Sequence, residues 1–538
     1  MLGGNLTFIT FFPLIGIPLV LALSLLCRES EEHMKIGALI VSIIEFLISI
    51  PLYTNFKIGF AGMQFEVEHP WIQSLGISYH LGIDGISLFL VLLTTFIMPI
   101  TILSSWHSIH KGMREFLIVI LTIETALIGT FSALDMVLFF VFWEAVLIPM
   151  YFIIGIWGAE RRIYAAIKFF IYTALGSALM LVAILYLYFA HIDQFGTPSM
   201  NVLDFYKLNI PYFGVMSPQG LVFLAFSLAF AIKIPMFPLH TWLPDAHVEA
   251  PTAGSVILAA ILLKMGTYGF LRFSLPLFPQ ATMDFLPVIS VIAIIGIIYG
   301  AMVAFAQNDL KKLVAYSSVS HLGLVMLGIL VLNVQGVEGG IYQMLNHGLS
   351  TGALFIIVGM IYERRHTKLI AEFGGISKVM PVFAIFFMLA ALSSIGLPLL
   401  NGFIGEFLIL IGAFRWNYIY SALGATGMIL GAIYMLWAYQ RVMFGPLENS
   451  ENKALRDLSL REIMVFLPIV LMFFVMGVYP KPFLSRMEPT VEALLKSKFE
   501  QPVALKEINQ PRMMQIANSV LSRMNRLGTK PINTNGRK

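Results

Sequence analysis

The sequence predicts an all-α membrane protein that crosses the bilayer many times. Of its 538 residues, 58% are hydrophobic and 12% are charged, whereas a soluble domain has about 25% charged residues. Apolar runs of the roughly 20 residues that a spanning helix needs recur along nearly the whole chain. The alternating dyads of a membrane β-barrel are absent, so helices are the expected spanning elements.

We expect about fourteen transmembrane helices, with ends uncertain by several residues. Their approximate ranges are 5–26, 36–56, 82–105, 115–133, 135–157, 164–190, 218–240, 252–275, 285–306, 311–332, 339–362, 379–413, 419–444 and 461–480. Helix-breaking residues interrupt two of these runs, the seventh at Pro235 and Pro238 and the twelfth at Gly396, Pro398 and Gly402. Because proline removes a backbone donor, helices seven and twelve are expected to be broken.

A weak internal repeat predicts the domain organisation. A shift of 174 positions aligns Phe131–Asp135 with Phe305–Asp309 and maps helices four to six on helices nine to eleven. Helices five apart run in opposite directions, so two inverted five-helix repeats are expected, as in many ion transporters. The expected parts are a three-helix segment 1–110, a first repeat 111–280, a second repeat 281–445, a last helix 446–482 and a basic polar tail 483–538.

The distribution of Lys and Arg predicts the orientation in the membrane. Loops of one parity (27–35, 106–114, 158–163, 241–251, 307–312, 363–378 and 441–461) hold 16 basic residues. Loops of the other parity hold four, namely Lys57, Lys207, Arg272 and Arg415. The first set is therefore expected to be cytoplasmic, and both termini to lie on the opposite side. The tail beyond 480, with eleven Lys or Arg, runs against this rule.

Several ionisable side chains fall inside predicted spans: Glu45, Glu124, Glu144, Lys168, Lys233, Lys264 and Glu406. A charge at the bilayer centre costs about 2.5–3.5 kcal/mol, so these groups must face one another, water or backbone. For Lys168, a side chain that extends to the membrane interface is as good an explanation as a functional role. For Glu45 and Glu124, a structural or subunit-contact role is favoured. The other four, Glu144, Lys233, Lys264 and Glu406, lie within separate spans. Their order along the chain is acid, base, base, acid, which is what a proton path needs. Desolvation and mutual pairing shift the proton affinity of such groups in opposite directions.

Apart from these acids and lysines, the sequence offers histidines as candidate proton carriers and contains no redox motif. His240, His247, His321 and His347 can relay protons near neutral pH, although a satisfied buried histidine explains each equally well. Cys27 is the only cysteine, so no thiolate metal or iron–sulfur site can form within the chain. There is no GxGxxG after a strand and no phosphate loop. We therefore expect no cofactor and no metal bound by this chain, and no nucleic-acid partner.

Long motifs resemble the antiporter-like membrane subunits of respiratory complex I. They are the stretch from Lys233 to Lys264, with its core LHTWLPDAHVEAPTAGS, and the segments Asp309–Gly323, Asn346–Ser350 and Leu399–Phe407. The resemblance covers roughly residues 80–480. Glutamate at position 406 is similar to the chain M type, the counterpart of mitochondrial subunit four, because sister subunits usually have lysine there.

The resemblance implies a role for each candidate residue. Glu144 pairs with Lys233 of helix seven, Lys264 is the central bridging lysine, and Glu406 is the terminal acid that opens to the far side. His321 and His347 fall where the family places polar residues of a water chain. NADH, FMN, iron–sulfur clusters and quinone then belong to partner subunits, and homologous antiporter-like subunits are expected on either side.

The expected function is thus proton translocation coupled to quinone reduction elsewhere in a NADH–quinone oxidoreductase. A bacterial inner (plasma) membrane is favoured over the mitochondrial inner membrane. Two alternatives stay open at this point: a subunit of a multi-subunit sodium–proton antiporter, with a membrane subunit of a proton-pumping hydrogenase as a lesser variant, and a scaffold that only joins pumping subunits.

Overall fold

The computed structural model describes residues 5–26 and 31–499, which are mostly helical. The helices are α1 (Leu6–Leu26), α2 (Glu32–Thr54), α3 (Leu88–Ser104), α4 (Met113–Ser132), α5 (Met136–Ala145), α6 (Leu147–Trp157), α7 (Arg162–Phe195), α8 (Val202–Phe205), α9 (Pro218–Lys233), α10 (Trp242–Glu249), α11 (Thr252–Ile257), α12 (Leu263–Gly269), α13 (Leu275–Leu277), α14 (Pro279–Phe305), α15 (Leu310–Leu330), α16 (Val334–Arg365), α17 (Pro381–Ser394), α18 (Asn401–Trp416), α19 (Tyr418–Met443), α20 (Ser450–Lys453), α21 (Leu460–Val478) and α22 (Lys481–Lys498).

Within the described ranges, 11 helices are long and apolar enough to cross a membrane. The chain is therefore a multi-pass membrane protein. Three shorter apolar helices, α3, α9 and α17, lie where three further spans were predicted. The count of about fourteen spans stays a prediction, because these helices have fewer residues than the roughly 20 that a straight crossing needs.

Three spans form the centre of the molecule. The most apolar windows of Thr252–Leu277 and α16 are 100% buried, and that of α15 is 89% buried. Thr252–Leu277 is a single span made of α11, α12 and α13, which two stretches of π-helix join at Leu258–Leu262 and Phe270–Ser274. α1, α2 and α19 are far more exposed. A side chain on the central helices is therefore shielded from lipid by protein on every side.

Both predicted helix breaks are present. α9 ends at Lys233, two residues before Pro235, and the chain re-enters helix only at Trp242. α17 ends at Ser394 and α18 begins at Asn401, with Gly396 at a φ of +72° in the gap. Each break follows from residues that cannot continue a helix, proline in the first case and a left-handed glycine in the second.

The sequence failed to predict a two-stranded antiparallel sheet. β1 (Gln64–Ile72) pairs with β2 (Ile77–Ile83) between α2 and α3. Residues 82–87, expected to begin a span, are instead the end of β2 and a turn, and α3 starts at Leu88. The class is thus mostly helical rather than all-α, because the segment between the second and third predicted spans folds into this hairpin.

The position of Arg272 is a second correction. Arg272 was counted above among the basic residues of the loops that predict the orientation. In the structure it lies on the π-helical turn Phe270–Ser274 and is buried. Its guanidinium nitrogen is 2.6 Å from Oδ1 of Asp84, which is also buried. A guanidinium can lie inside the protein here because a carboxylate neutralises it. It therefore gives no information about orientation.

Asp135 and Asp309 begin α5 and α15 in the same way. Each carboxylate accepts hydrogen bonds from the backbone N–H groups two and three residues ahead, the usual role of an N-cap. Each residue also forms an isolated antiparallel bridge, with Asn201 and Leu369 respectively. These are the two aspartates that the 174-position shift aligns. The matching caps agree with the repeat, but the inverted five-helix repeats and the domain boundaries stay predictions.

The first part of the C-terminal tail is a helix that is packed against the membrane domain. α22 lies against α16, and the Thr490 hydroxyl accepts a hydrogen bond of 3.1 Å from the backbone N–H of Gly85. Residues 500–538, which contain seven of the tail's basic residues, lie outside the described ranges.

Candidate functional site

Four of the six predicted site residues lie together at the centre of the molecule. Lys264 is on α12, His347 on α16, His321 on α15 and Glu406 on α18. All four side chains are buried. The three central helices carry the first three residues, and the break between α17 and α18 brings the fourth beside them. We call these four residues the polar line.

The polar line starts at Lys264. Its Nζ is 2.6 Å from Nδ1 of His347 and 2.5 Å from the backbone oxygen of Ala259. Ala259 belongs to the π-helical stretch before α12, and such a wide turn alters the backbone pairing and often marks functional sites. The ammonium group therefore has two acceptors inside the protein. It can give its proton directly to the imidazole of His347.

Two histidines connect Lys264 with the acid. The rings of His347 and His321 lie 5.8 Å apart between centroids. Nδ1 of His321 is 3.7 Å from Oε1 of Glu406. A cavity of about 10 Å³ beside His321 and Glu406 is close to the smallest volume that holds one water molecule. The arrangement is a base, two relays and an acid within a few ångströms of one another.

Polar neighbours orient the acid end of the polar line. Gln343 donates from Nε2 to Oε1 of Glu406 at 3.2 Å, and Asn346 donates to Gln343 at 2.9 Å. The other oxygen of Glu406 has no hydrogen-bond partner among the described residues. Nε2 of His321 lies 3.4 Å from the hydroxyls of Ser394 and Tyr434. The unpartnered Oε2 of Glu406 leaves this residue able to bind or pass on a proton.

The sequence reading missed Gln343, Ser394 and Tyr434. One signal was available for the first, because Gln343, Asn346 and His347 are spaced i, i+3 and i+4 in an apolar span and so share a helix face. No sequence pattern ties Ser394 and Tyr434 to His321. Ser318 and Ser320, near His321 on α15, donate to the backbone oxygens of Val314 and Ile297.

Lys233 and Glu144 lie apart from the polar line. Lys233 is buried at the end of α9, with its Nζ 5.0 Å from the ring centre of Trp143 and 5.7 Å from that of Phe169. Glu144 acts on Lys233 through its charge, but no ion pair within 4.0 Å joins them in the described ranges. Glu144 is half-buried, and one of its oxygens is buried without a partner. In this structure, Glu144 and Lys233 therefore do not form the expected ion pair.

His247 and Lys311 belong to two of the loops predicted to be cytoplasmic, 241–251 and 307–312, but both side chains are buried. His247 stacks on Phe355 at 4.5 Å, and neither ring nitrogen has a partner among the described residues. Lys311 donates to the backbone oxygen of Ala250 at 2.6 Å. Both Lys311 and Lys264 act on His247 through their charges. His240 lies in the gap after α9 and packs against Phe237 and Tyr299.

Lys311 also lines a cavity of about 670 Å³ at this face of the protein. Its ionisable lining residues include His107, His110, Glu249, Glu363, His366 and Lys368. Burial lowers the pKa of His107, and the charges of Arg461 and Lys35 lower it further. The His107 ring is therefore mainly neutral at pH 7 and can accept a proton. The cavity offers several proton acceptors close to Lys311.

The residues that the structure describes contain no group of three or more His, Cys, Asp or Glu that could hold a metal ion.

Comparison with known proteins identifies the family. The model described as "NADH:quinone oxidoreductase/Mrp antiporter, TM" matches residues 133–431, and that of the amino terminus of NADH-ubiquinone oxidoreductase chain 4 matches residues 14–130. The chain is 46% identical to NADH-quinone oxidoreductase subunit M of Rhodobacter capsulatus, over 91% of this chain and 96% of that protein. It is 44% identical to NADH-ubiquinone oxidoreductase chain 4 of Marchantia polymorpha, over 92% and 98%.

Solved structures agree with this assignment. A chain of respiratory complex I from Thermus thermophilus superposes with a TM-score of 0.82 at 31% identity, over 91% of this chain and 99% of that one. A chain of the Mrp complex from a Dietzia species has a TM-score of 0.77 at 18% identity, over 91% and 98%, and so shares the fold. The chain belongs to the antiporter-like membrane subunits of NADH:quinone oxidoreductase, in the group that comprises bacterial subunit M and chain 4.

Proposed function

We propose that this chain translocates protons as a membrane subunit of a NADH–quinone oxidoreductase, through the polar line. The observation that carries the proposal is the buried contact series Lys264–His347–His321–Glu406, with separations of 2.6 Å, 5.8 Å between ring centroids and 3.7 Å. Ionisable groups are costly inside a membrane protein and are usually functional when they line one path. Structural ion pairs would not need two neighbouring histidines in between.

Each residue of the polar line has a distinct task in the proposal. Lys264 holds a proton between the Ala259 oxygen and His347. His347 accepts this proton at Nδ1 and passes it across the inter-ring gap to His321. Glu406 receives it at Oε1 and releases it through Oε2, the oxygen that lacks a partner. Each proton moved against the membrane potential costs about 2.3 kcal/mol per 100 mV, and this energy must come from outside the chain.

Glu144 and Lys233 supply the coupling step. Because Glu144 is half-buried at the outside of this chain, a neighbouring subunit can contact it directly. A shift that closes the Glu144–Lys233 distance stabilises the charged form of Lys233, and a shift that opens it favours release of its proton. The released proton recharges Lys264 after it has passed its own proton on. His247 and the cavity lined by Lys311 are a second possible supply from the cytoplasmic face.

The assembly and its location follow from the same reading. NADH, FMN, iron–sulfur clusters and quinone belong to partner subunits, and homologous antiporter-like subunits flank this chain in the bilayer. The chain lies in a bacterial inner membrane, and both termini are on the non-cytoplasmic side. The first repeat, 111–280, carries Lys264, and the second, 281–445, carries both histidines and Glu406, so a proton passes from the first repeat to the second between Lys264 and His347.

The test is Lys264→Met in membranes where full assembly of the complex has been demonstrated, with Lys233→Ala and Glu406→Gln in parallel. We expect proton uptake into inverted vesicles during NADH oxidation to fall about tenfold or more, because a positioned acid–base group contributes at least that much. Lys207→Met, an exposed lysine beside Asp204, is the matched control and should leave uptake unchanged. Normal pumping by all three variants would mean that these residues are structural and the chain is a scaffold. Sodium-dependent uptake would instead indicate a sodium–proton antiporter.

A further inference from the structure

Two acidic side chains lie buried in the N-terminal helices, away from the polar line. Glu45 on α2 and Glu124 on α4 have 0% of their surface exposed. α2 and α4 pack against each other and run in the same predicted direction. Ser42, three residues before Glu45 on the same face of α2, lies 3.5 Å from Oε2 of Glu124. The two carboxyl groups therefore lie within about one helical turn of each other.

The pair lacks hydrogen-bond donors. Neither oxygen of Glu45 has a partner among the described residues, and the same is true of Oε1 of Glu124. Within the described ranges, the pair's one hydrogen bond is a long one, which the Ser42 hydroxyl donates to Oε2 of Glu124 at 3.5 Å. Ser49, one turn beyond Glu45, is occupied by the Phe46 oxygen and by Thr95. Three buried carboxyl oxygens thus have no N–H or O–H directed at them.

The pair also lacks a counterion among the residues that the structure describes. The neighbouring helices α1 and α3 contain no ionisable residue at all. On α2 and α4 the cationic side chains Lys35 and Arg114 form ion pairs with Glu32 and Glu115 at the helix starts, and His33 is exposed there. Two unpaired carboxylates that repel each other cannot both stay ionised at a buried site. A shared proton supplies both the missing charge and the missing donor.

We propose that Glu45 and Glu124 form a second proton-binding site, which holds a proton between the two carboxyl groups within the N-terminal three-helix segment. The O–H of one acid donates to a free oxygen of the other, and Ser42 steadies Glu124. The ligand is a proton rather than a metal ion, because the described residues offer no third His, Cys, Asp or Glu to the pair. The site is independent of the polar line, so it stands whether or not Lys264 and Glu406 carry the pumped protons.

Infrared difference spectroscopy of the assembled, purified complex tests the site, because a neutral carboxyl has a C=O band that shifts in D₂O and a carboxylate does not. Relative to the unmodified complex, the double variant Glu45→Gln/Glu124→Gln should remove such a band, whereas each single variant leaves one buried acid that can keep the proton. Ser42→Ala keeps both acids and should move the Glu124 band to higher frequency, which tests the site even if the glutamine variants do not assemble. Ser49→Ala is the control and should change neither.

Equal neutral-carboxyl absorbance in the unmodified complex and the double glutamine variant would overturn the proposal, because both acids would then be ionised. An unshifted spectrum in Ser42→Ala would also contradict it. These spectra do not depend on pumping. A failure of the proposed function, seen in the vesicle measurements on Lys264→Met, is therefore distinguishable from a failure of this site.

Discussion

At the scale of single residues, most buried charges of this chain have a partner of a particular kind. Arg272 is paired with Asp84 at 2.6 Å, and Lys168 reaches Asp245 on α10 at 2.7 Å, so Lys168 is more than a lysine that extends to the interface. Lys311 is held by backbone oxygens instead. The Arg272 guanidinium also lies 3.2 Å from the Tyr268 hydroxyl. The ion pair of Arg272 and Asp84 joins the turn before α3 to the central span. It is the clearest case of a charge with a structural role in this chain.

Asp84→Asn should destabilise the protein strongly, because it leaves Arg272 buried without its carboxylate. We expect a loss of about 3–5 kcal/mol, the usual cost of breaking a buried pair from one side. Thermal denaturation of the purified complex measures the effect on this subunit. The double variant Asp84→Asn/Arg272→Met should recover much of the loss. Asp204→Asn, which removes a partner from an exposed lysine, should change stability by less than about 1 kcal/mol.

At the scale of secondary structure, interrupted helices place the chemistry. α9 ends at Lys233 itself, and the gap between α17 and α18 lets Gly396 lie against the carboxyl group of Glu406. The π-helical stretch at 258–262 does the same for Lys264 by directing the Ala259 oxygen toward its ammonium group. A regular helix pairs these backbone groups internally. The interruptions free them for side chains.

Gly396→Ala should impair proton uptake without removing any ionisable group. A Cβ at this position would collide with Oε2 of Glu406, and the φ of +72° adds backbone strain of roughly 1–2 kcal/mol. Gly445→Ala is a matched control, because Gly445 also has a positive φ (+95°) but no atom within 4 Å of the added methyl group. Both variants should lose some stability, but only Gly396→Ala should lower uptake per NADH oxidised, by several-fold. Equal uptake in the two variants would show that the contact with Glu406 is unimportant.

At the scale of the whole molecule, three buried central spans carry most of the polar line, whereas the outer helices expose large apolar side chains. The windows of Thr252–Leu277 and α16 are completely buried, while α1, α2, α19 and α21 expose large apolar residues such as Leu25, Leu47 and Ile429. This is the reverse of a soluble protein's surface and fits a lipid or subunit environment. The cavity lined by Lys311 lies at the face whose loops are rich in Lys and Arg.

The predicted orientation can be tested with a membrane-impermeant maleimide on variants that lack Cys27. A cysteine in place of Glu448, in the exposed loop after α19, should react in inverted vesicles. A cysteine in place of Phe213, which is 76% exposed in the segment before α9, should react only from the other side of the membrane. The basis is the excess of Lys and Arg in cytoplasmic loops. The opposite labelling pattern would place both termini in the cytoplasm.

The sequence alone determined the class of protein, the helix breaks and the family. Apolar runs must become spans because unpaired backbone groups are too costly in lipid, and proline or glycine at Pro235 and Gly396 must interrupt a helix. Long motifs such as Lys233–Lys264 indicated the family that the comparisons confirm. Glu144, Lys233, Lys264 and Glu406 were named from their charge within apolar segments, and His321 and His347 from their ability to relay protons. The individual roles of all six stay proposals.

Only the tertiary structure decided which of these residues touch. Lys264 and His347 are 83 positions apart in the chain, and their contact at 2.6 Å depends on how α12 and α16 pack. The burial of Arg272 with Asp84, the open distance between Glu144 and Lys233, and the unpartnered Glu45 and Glu124 were likewise invisible to helical periodicity. Periodicity gives the face of a helix on which a side chain lies, whereas the side chain's partner is set by the rotation and depth of the neighbouring helix.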